Sequence, residues 1–598
     1  MSIITIDFET FYDKDYSLSK MTTEEYVNDP RFEVIGVGLK IDDEPTKWLT
    51  DGYIDQEFAD TDWSQHAVLC HNTLFDGYIL SKKYGVKPGF WFDTLSMARA
   101  IHGVEAGVSL AKLATRYGLG EKGNEVVQAL GKNRSDFSAG DLDRYGAYCR
   151  NDCDLTHALF NILAAKFPEN ELKLIDLTIR MFTEQTLMVD ENLLVERLAD
   201  IKNEKSITLQ GLMESLNVQT EQEVSKILGS GPKFADVLRK YGAIVPMKES
   251  PTTGKLTYAF AKTDPGFIEL QEDENPFIQQ LCAVRLGTKS TMEESRIERF
   301  IGIGRRNGGY LPVPLRYYGA HTGRWAGLDS VNFQNLPSRN KKKKALKNSI
   351  MAPPGYVVIN CDSSQIEARI LAWLAGQLDL LQAFRERRDV YSEFASKVFG
   401  RPVTKKDEKE RFLGKTCILG LGYGTGAKKL RHTLAMGGVD MTAVQCKEIV
   451  DLYRREYSWI PKLWDKYDMA LGMMVGDPDN KLELPNGLYI RYNNLRISEG
   501  KYVYDSRSGP KNLWGGAMVE NMDQALARII IGEQMIRIAE RYRIALTVHD
   551  SVVAVVPEDE AKEAIMFMVE VMSNPPAWAP DLPLACEAKF HRSYGECG

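Results

Sequence analysis

The sequence lacks long hydrophobic runs, paired cysteine motifs and an excess of positive charge. No window reaches the ~18 uncharged apolar residues that a membrane-spanning helix needs, and Met1 leads directly into the strand-like run 3–6 instead of a signal peptide. We therefore expect an intracellular protein without a membrane partner. Its compartment is expected to be the cytoplasm, which would be that of the host cell if a phage encodes the chain.

The nine cysteines are scattered, and none forms a CxxC pair. Cys149 and Cys153 are four residues apart, but no companion cysteine or histidine pair completes a zinc site. This distribution argues against a structural zinc ion and against a disulfide framework. It predicts reduced thiols in a reducing compartment.

The formal net charge of −7 argues mildly against nucleic acid as a partner, because lysine and arginine carry phosphate binding. Local basic runs at 341–347 and 401–406 can still line a basic cleft while acidic residues cover other faces. The alternative for 341–344 is a solvated lysine-rich loop. Taken alone, that run favours the solvated loop.

The length of 598 residues exceeds what one hydrophobic core usually supports, so two to four domains are expected. Residues 1–165 alternate strand-like and helix-like segments, which predicts an α/β domain. A helical middle follows. Two buried strands are predicted at 356–361 and 544–556, the second interrupted by His549 and Asp550. One sheet would have to bring them together around the mainly helical block 377–475.

The first group of carboxylates begins with Asp7 and Glu9, whose i, i+2 spacing places both on one face of the opening strand. Two such carboxylates repel each other unless a cation lies between them, and a divalent ion is the simplest solution. A solvated acidic face is the more common explanation for one such pair. Asp76 follows an apolar run, and Tyr148 and Asp152 share a helical face at i, i+4. Four carboxylates and a tyrosine can hold two Mg²⁺ or Mn²⁺ ions and orient water for attack on a phosphodiester.

These segments resemble the proofreading 3′→5′ exonucleases of the RNase H-like superfamily. The D-x-E motif matches 7–9, the Y-x3-D motif matches 148–152, and the N-x3-[FY]-D motif matches 72–76 with one spacer residue fewer. The resemblance implies that Tyr148 is catalytic, positioning the water, and that the metal ligands are Asp7, Glu9, Asp76 and Asp152. Asp154 falls outside the motif and is expected on the helix surface.

The second group of carboxylates is Asp362, which ends the strand 356–361, and Asp550, which interrupts the strand 544–556. A carboxylate inside a buried strand is costly to desolvate, so a purely structural role requires a partner or a metal ion. Two such residues suggest one shared metal site.

This part of the chain resembles the family A DNA polymerases, the group of bacterial DNA polymerase I and several phage replicases. The motif D-x-S-Q-I-E-x-R matches 362–369, and V-H-D matches 548–550. In the fingers helix, the R and K positions of the family fall at 411 and 415, and the Y-G pair falls at 423–424. Upstream, the T-G-R segment falls at 322–324, and the N-L-Q-N-[IL]-P-x-R segment falls at 332–339. The matches occur in the family's order.

The resemblance implies a role for each matching residue. Asp362 and Asp550 would be the catalytic metal ligands of the polymerase site. The dNTP contacts would be Arg411, Lys415, Leu419, Tyr423, Glu367 and Gln365. The DNA contacts would be Arg324, Asn332, Gln334, Asn335, Arg339, Arg369, Gln524 and His549, with a partial motif match at Gln524.

Three positions depart from the family pattern: Ser363 replaces a tyrosine, Leu419 replaces a phenylalanine or tyrosine, and Ser551 replaces a glutamate. None of them is a metal ligand. We therefore expect altered rate, fidelity or analogue handling, including dideoxynucleotide discrimination, with polymerisation retained.

The expected fold is an RNase H-like α/β exonuclease domain followed by an α+β right-hand polymerase domain. The predicted boundaries are 1–165 for the exonuclease domain, 166–320 for the thumb and the start of the palm, 321–376 for the palm with motif A, 377–480 for the fingers and 481–598 for the palm with motif C. Because the chain starts at the exonuclease motif, no 5′-nuclease domain is expected, which is typical of a phage-type replicative enzyme.

The predicted activity is template-directed DNA synthesis from dNTPs with 3′→5′ proofreading. Two Mg²⁺ ions are expected in each active site, with Mn²⁺ as an alternative. The expected partners are primer–template DNA and dNTPs, other replisome proteins are candidates, and the chain is expected to be a monomer.

Other classes fit less well. A single-subunit RNA polymerase shares a related palm, but Glu367 and a proofreading domain argue against it. A catalytically silent scaffold would be favoured by the loss of a metal-ligand aspartate, and none is lost. The segment 413–416 (LGKT) imitates a phosphate-binding P-loop, but that motif requires glycine where Lys409 stands.

Overall fold

The chain is divided into two compact units in the computed structural model. It describes residues 1–123, 128–250, 254–262, 264–271, 273, 275–289, 292–337, 344–477, 479–506 and 509–597. Unit 1 comprises Met1–Leu187, Tyr310–Leu336 and Met351–Gly598, and unit 2 comprises Met188–Gly309 and Pro337–Ile350. Within the described part of the chain, no helix has the length and apolar character that crossing a membrane requires.

The first 189 residues alternate strands and helices. In chain order these are β1 (Ser2–Thr10), α1 (Thr23–Asn28), β2 (Val34–Ile41), β3 (Lys47–Leu49), α2 (Gly52–Asp60), β4 (His66–Cys70), α3 (Thr73–Tyr84), β5 (Phe90–Asp93), α4 (Thr94–His102), α5 (Leu110–Tyr117), α6 (Ala139–Ala164), α7 (Glu169–Thr183) and β6 (Leu187–Val189). The α/β pattern predicted for this region is therefore present.

Strands β1 to β5 form one mixed sheet in the order β3-β2-β1-β4-β5. The β1–β2 and β2–β3 pairs are antiparallel, whereas β1–β4 and β4–β5 are parallel. The central strand β1 is mostly buried, which suits its alternation of isoleucine and phenylalanine with polar residues. Asp7 and Glu9 therefore project from the middle of the sheet and not from an edge.

Unit 2 is mainly helical. Its elements include α8 (Glu191–Leu216), α9 (Glu221–Gly229), α10 (Gly231–Lys240), β7 (Met247–Glu249), β8 (Leu256–Tyr258), α11 (Pro265–Gln271), α12 (Pro276–Lys289) and α13 (Met292–Arg306). Leucine and phenylalanine side chains from α8 to α12 make its core, including Leu212, Phe234 and Phe267. This unit lies within the segment predicted as thumb and start of the palm, apart from 337–350.

The remaining chain completes unit 1, apart from α14, which belongs to unit 2. The elements are β9 (Tyr310–Leu311), β10 (Leu315–Arg316), β11 (Ala326–Gly327), α14 (Ala345–Asn348), β12 (Ile350–Met351), β13 (Tyr356–Ser363), α15 (Ile366–Ala375), α16 (Leu378–Arg385), α17 (Val390–Phe399), α18 (Glu408–Leu421), α19 (Ala427–Met436), α20 (Ala443–Glu456), α21 (Trp459–Met474), β14 (Lys481–Glu483), β15 (Tyr489–Arg491), β16 (Arg496–Ser498), β17 (Lys501–Ser506), β18 (Gly509–Leu513), α22 (Gly515–Ala539), β19 (Arg543–Val548), β20 (Ser551–Pro557), α23 (Ala561–Ser573) and β21 (Cys586–His591).

A four-stranded antiparallel sheet with the order β19-β20-β13-β21 brings the two distant apolar segments together. The segment 544–556 was predicted as one interrupted strand, and that prediction is wrong in detail. It forms two antiparallel strands, β19 and β20, joined by a turn at His549 and Asp550. His549 has φ +52°, a left-handed conformation that reverses the chain. The polar pair interrupts the apolar run because it forms this hairpin.

Helices α15 to α21 surround a separate apolar core that includes Phe384, Phe394, Leu413 and Tyr453. A Cβ atom on Gly414 in α18 would lie 2.0 Å from the Tyr391 carbonyl oxygen of α17, so only glycine permits this close helix packing. The LGKT segment is therefore helical, which agrees with the rejection of a P-loop.

Candidate active sites

Helix α6 packs closely on the first sheet because glycines on β2 face it. Gly36 and Gly38 pair with Glu9 and Asp7 of β1. A Cβ atom on Gly38 would lie only 2.7 Å from the Cys153 Sγ atom on α6, so a larger residue would push the helix away. Cys153 is buried between α6 and β2, which suits cysteine because it is among the residue types most often buried.

The four carboxylates predicted for the exonuclease site meet where α6 and α3 contact β1. Ligand atoms of Asp7, Glu9 and Cys149 lie within 4.8 Å of one another. The Oδ1 atom of Asp76, on α3, accepts a 3.1 Å hydrogen bond from the Phe8 amide, between the two β1 acids. Asp152 on α6 is close enough to Asp7 to raise its pKa. The four acids form what we call the exonuclease cluster.

Tyr148, predicted to position water, is largely buried on α6 beside Asp152. Burial, followed by the charge of the Asp152 carboxylate, raises the pKa of the Tyr148 phenol. The phenol therefore stays protonated at neutral pH and can donate a hydrogen bond at the edge of the cluster.

Two residues of this site were not identified from the sequence. The Tyr145 hydroxyl donates a 2.5 Å hydrogen bond to Glu9 Oε2. The Lys122 ammonium contacts the Asp152 carboxylate. Tyr145 lies three residues before Tyr148 on α6, and this helical spacing could have indicated it. Lys122 lies in a loop outside every motif, and no sequence signal marks it.

Burial raises the pKa of three acids in the exonuclease cluster. The pKa of Asp7 is raised to about 7 by burial and by Asp152, against the opposing effects of Lys122 and Cys149. Burial and Asp7 raise the pKa values of Glu9 and Asp76 well above the ordinary range. The raised pKa values show that Lys122 compensates only part of the negative charge of these buried carboxylates, and carboxylate oxygens are the donors that hard divalent cations prefer. The residues present therefore fit a divalent metal site.

Binding of Mn²⁺ to the exonuclease cluster is expected to weaken as the pH falls below about 7, because a metal ligand must be deprotonated and the pKa of Asp7 is raised to about 7. Each pH unit below that value should weaken binding about tenfold for each proton that binding must displace. The measurement is the rise in melting temperature with added Mn²⁺ at pH 6, 7 and 8.

Melting curves without metal over the same pH range are the control for this measurement. Without metal, the raised pKa of Asp7 makes the folded state bind the proton more tightly than the unfolded chain. The stability that this group contributes is therefore lost as the pH rises from the ordinary pKa of 3.8 through the raised pKa of about 7. Equal Mn²⁺-induced shifts at pH 6 and pH 8 would contradict the prediction.

The two acids predicted for the polymerase site lie on neighbouring strands of the second sheet. Asp362 of β13 pairs in register with Ser551 of β20, and the Ser363 amide donates a 3.0 Å hydrogen bond to the Asp550 carbonyl oxygen. Asp362 is exposed and Asp550 is half-buried. Asp362 lies near the end of its strand, as predicted, but its side chain is exposed, so the expected burial is wrong for this acid. Asp550 lies in a turn and not inside a strand.

A third carboxylate, that of Glu587, was not identified from the sequence. It lies on β21 directly opposite Asp362, a relation that places Cβ atoms ~5 Å apart. Burial, followed by Glu367, raises the pKa of Asp550, against the opposing effects of Arg324 and His549. Asp362, Asp550 and Glu587 are therefore carried by two strands and a turn of one sheet, and carboxylate oxygens are the donors that divalent ions prefer.

Glu367, predicted to select deoxynucleotides, begins α15 and forms an ion pair with Arg324. Gln365 precedes the helix with φ +55°. The structure therefore brings two predicted dNTP contacts and one predicted DNA contact to the edge of the polymerase site.

Helix α18 carries the predicted phosphate-binding cations. The Arg411 Nε atom is 2.7 Å from Asp389 Oδ2, whereas Lys415 is exposed. Leu419 and Tyr423 pack on the helical core of this region. Arg411 would have to exchange Asp389 for a phosphate in order to bind a nucleotide.

The chain leaves α18 through a tight turn at Tyr423 and Gly424. Gly424 has φ +77°, and a Cβ atom there would lie 2.1 Å from the Trp514 ring, so both conformation and space require glycine. The Tyr423 hydroxyl donates to the carboxylate of Asp523 on α22. Asp523 is fully buried, and burial raises its pKa well above the ordinary value.

The predicted DNA contacts have different surroundings. Asn332 caps the short helix Phe333–Asn335 by accepting a 3.1 Å hydrogen bond from the Gln334 amide. Gln524 lies on α22 beside Glu520, with a nitrogen-to-oxygen distance of 3.4 Å, and His549 is exposed in its hairpin turn. Arg339 lies outside the described residues, as do residues 341–343 of the basic run 341–347.

Arg369 is not brought to the surface of the site. Its side chain is buried at 4% exposure. It donates hydrogen bonds of 2.7 Å to the Ser364 carbonyl and 3.0 Å to the Pro583 carbonyl, with its guanidinium 4.6 Å from the Phe384 ring centre. In this conformation Arg369 therefore stabilises the start of α15, and its contact with DNA stays a prediction.

Two family models match the chain. Residues 192–470 match the model "DNA polymerase family A", and residues 61–168 match the model "3'-5' exonuclease". The chain therefore contains a family A DNA polymerase domain and a 3′→5′ exonuclease domain, so the expected family and fold class are confirmed. Domains of these families depend in general on divalent metal ions.

Among its relatives, the DNA polymerase of Bacillus phage SP02 is 24% identical over 98% of each chain. The thermostable DNA polymerase I of Thermus filiformis is 26% identical over 64% of this chain and 45% of its own length. DNA polymerase I of Chloroflexus aurantiacus is 24% identical over 85% of this chain and 53% of its own. The chain thus spans about half the length of these bacterial relatives.

The fold is similar to that of the POL domain of Pol1 from M. smegmatis, solved in complex with DNA primer-template and dNTP. The TM-score is 0.69 and the identity 20%, and the comparison covers 100% of this chain and 96% of the other. This similarity supports the right-hand polymerase fold.

Proposed function

We propose that the protein extends primed DNA templates with deoxynucleotides and shortens DNA from the 3′ end at a separate site. The observation that carries the proposal is that the acidic side chains form two separate sets, each at a different sheet. One is the exonuclease cluster on β1, α3 and α6, and the other is Asp362 and Asp550 on β13 and the β19–β20 turn. We propose phage-type DNA replication as the role, with the chain acting as a monomer.

In the exonuclease site, Asp7, Glu9, Asp76 and Asp152 would hold the metal ions. Two Mg²⁺ ions per site, or Mn²⁺, would supply charge neutralisation of the phosphate and activation of the attacking oxygen when bound. Tyr148 remains a phenol and can orient the attacking water from the side of Asp152. Tyr145 fixes Glu9 through its 2.5 Å hydrogen bond.

In the polymerase site, Asp362 and Asp550 would hold the metal ions near the primer end. Lys415 is exposed on α18 and can bind the triphosphate, and Arg411 can join it by leaving Asp389. Glu367 would crowd the 2′ position of a ribonucleotide and so favour deoxynucleotides. His549 and Gln524 are candidates for contacts with the primer–template.

A single primed-template assay tests both halves of the proposal. With dNTPs and Mg²⁺ the labelled primer should lengthen, without dNTPs it should shorten from its 3′ end, and EDTA should stop both reactions. A protein that neither extends nor shortens the primer with Mg²⁺ or Mn²⁺ would overturn the proposal. Extension without shortening would overturn only the exonuclease half.

A further inference from the structure

Lys122 provides a positive charge inside the exonuclease cluster that no motif accounts for. Its ammonium contacts the carboxylate of Asp152 and lies 5.1 Å from the centre of the Tyr148 ring. Burial lowers the pKa of the Lys122 ammonium, but Asp152, followed by Asp7 and Glu9, outweighs burial and raises it.

The backbone next to Lys122 is anchored to the helix that carries Asp152. The side-chain amide of Asn151 donates a 3.1 Å hydrogen bond to the Glu121 carbonyl oxygen. Residues 121 and 151 are the direct chain neighbours of Lys122 and Asp152, so this bond holds the two side chains in register. The position of Lys122 is therefore set by α6 and the adjoining loop together.

The exposure of the two partners indicates where Lys122 faces. Asp152 is 2% exposed, whereas the Lys122 side chain is 27% exposed. The acid is enclosed, and the lysine forms part of the boundary between the cluster and solvent. A lysine side chain has a flexible four-carbon stem and three donors that can change partner without losing charge. A ligand that enters the site from solvent would meet this ammonium before it reached Asp152.

Charge balance shows what that ligand would be. The four carboxylates carry four negative charges when ionised, and two divalent ions would neutralise them. Once ions occupy the cluster, they neutralise the carboxylates. The positive charge of Lys122 is then no longer needed to neutralise Asp152. The remaining negative group in the proposed reaction is the phosphodiester of the DNA, and a lysine binds phosphate as a point charge.

We infer that Lys122 is a phosphate-binding residue of the exonuclease site. It pairs with Asp152 while the cluster is free of metal and binds the 3′-terminal phosphodiester of the DNA when divalent ions fill the cluster. The Tyr148 ring stabilises the ammonium from one face through a cation–π contact and keeps it beside the attacking water. This inference rests on the proposed exonuclease activity.

The test compares Lys122→Ala and Lys122→Arg with the matched control Lys132→Ala. Lys132 also lies over an aromatic ring, 5.5 Å from the Phe137 centre, and is not one of the cluster residues. At saturating Mn²⁺, Lys122→Ala should slow single-turnover shortening of single-stranded DNA by ~10²-fold, the scale for losing one charge-stabilising donor. Lys122→Arg should recover part of the rate, and Lys132→Ala should match the wild type.

Two further measurements separate phosphate binding from a role in folding or in metal binding. Fluorescence anisotropy should show that Lys122→Ala weakens binding of single-stranded DNA ~10-fold in Ca²⁺ but not in EDTA, because the lysine is released to the phosphate only when ions are bound. The rate of primer extension should stay at the wild-type value, and the Mn²⁺-induced rise in melting temperature should equal or exceed that of the wild type, because no ion pair with Asp152 has to be broken.

Three results would overturn the inference. Unchanged shortening and unchanged DNA affinity in Ca²⁺ would show that Lys122 only pairs with Asp152. A larger Mn²⁺-induced rise in melting temperature, with a normal rate at saturating metal, would make Lys122 a competitor of the metal ion. Equal weakening of DNA binding in Ca²⁺ and in EDTA would make it a general surface contact. A wild-type protein without shortening activity would instead refute the proposed function. The binding of single-stranded DNA in Ca²⁺ would still test whether Lys122 binds phosphate.

Discussion

Replacing Asp362 with alanine is expected to abolish primer extension, by ~10³-fold or more, and to leave 3′ shortening at its wild-type rate. Metal ions contribute several kcal/mol of transition-state stabilisation, and ~1.4 kcal/mol corresponds to a tenfold change in rate. Asp362 pairs with Ser551 in register, and its neighbour Ser363 bonds to Asp550, so one substitution removes half of the predicted ligand pair.

The reciprocal change, Asp7→Ala, is expected to abolish shortening by a similar factor and to leave extension intact. Asp7 and Asp362 lie on different sheets, so neither substitution alters the ligands of the other site. Both reactions are measured on the same labelled primer, with and without dNTPs. This design makes each variant the folding control of the other.

Matched controls use acids that lie close in sequence but outside both sites. Asp154 follows Asp152 on α6, and its carboxylate contacts Thr46 and Lys40 instead of the cluster. Asp559 is exposed just after β20. Asp154→Ala and Asp559→Ala should keep both activities. If Asp362→Ala or Asp7→Ala removed extension and shortening together, the assignment of two independent sites would be refuted.

The local elements of the fold were predicted well where a single periodicity runs through the segment. The α/β alternation predicted for 1–165 corresponds to β1–β5 and α1–α6, and the helical middle predicted after it begins with α7 and α8. The hairpin at 544–556 was predicted less well, because alternating apolar residues look the same in one strand and in two paired strands. Only the left-handed conformation of His549 shows where the chain reverses.

The candidate sites were predictable to the extent that short motifs carry their residues. The four acids of the exonuclease cluster converge as the strand and helix spacings implied. The sequence did not indicate three further residues, because tertiary packing brings them to the sites. Lys122 reaches its site from a loop, Tyr145 lies one helical turn before Tyr148, and Glu587 pairs with Asp362 through the sheet register. Arg369 is buried in this structure, and a motif position marks the residue type but not whether the side chain is exposed.

Replacing Arg528 with methionine is expected to lower the free energy of unfolding of unit 1 by ~3–5 kcal/mol, the cost of leaving one partner of a buried ion pair alone. The Arg528 Nη1 atom lies 2.5 Å from Glu171 Oε1, and the side chains are only 1% and 2% exposed. Burial opposes ionisation of Glu171, but Arg528 and further hydrogen bonds outweigh it, so the pKa of Glu171 is lowered. The measurement is urea denaturation followed by tryptophan fluorescence.

The control for this stability change is the exposed ion pair between Arg541 and Glu563, whose side chains are 46% and 63% exposed. Arg541→Met should cost less than ~1 kcal/mol, because water screens the pair and replaces the lost contact. The double variant of Glu171→Leu with Arg528→Met should be more stable than Arg528→Met alone, because no charge is then left buried. A cost below ~1 kcal/mol for Arg528→Met would contradict the prediction, since solvent would then have to reach the pair.

The same substitution should also affect both activities together. Glu171 lies on α7, directly after the exonuclease part of the chain, and Arg528 lies on α22, which packs beneath the polymerase site. The Asn486 amide donates a 2.7 Å hydrogen bond to Glu171, and the Trp325 ring lies 4.7 Å from the Arg528 guanidinium, so residues from four segments meet at one pair. Loss of the pair should therefore reduce extension and shortening in parallel as the temperature approaches the lowered melting point. A variant that lost only one activity would show that the two halves of unit 1 are stabilised independently.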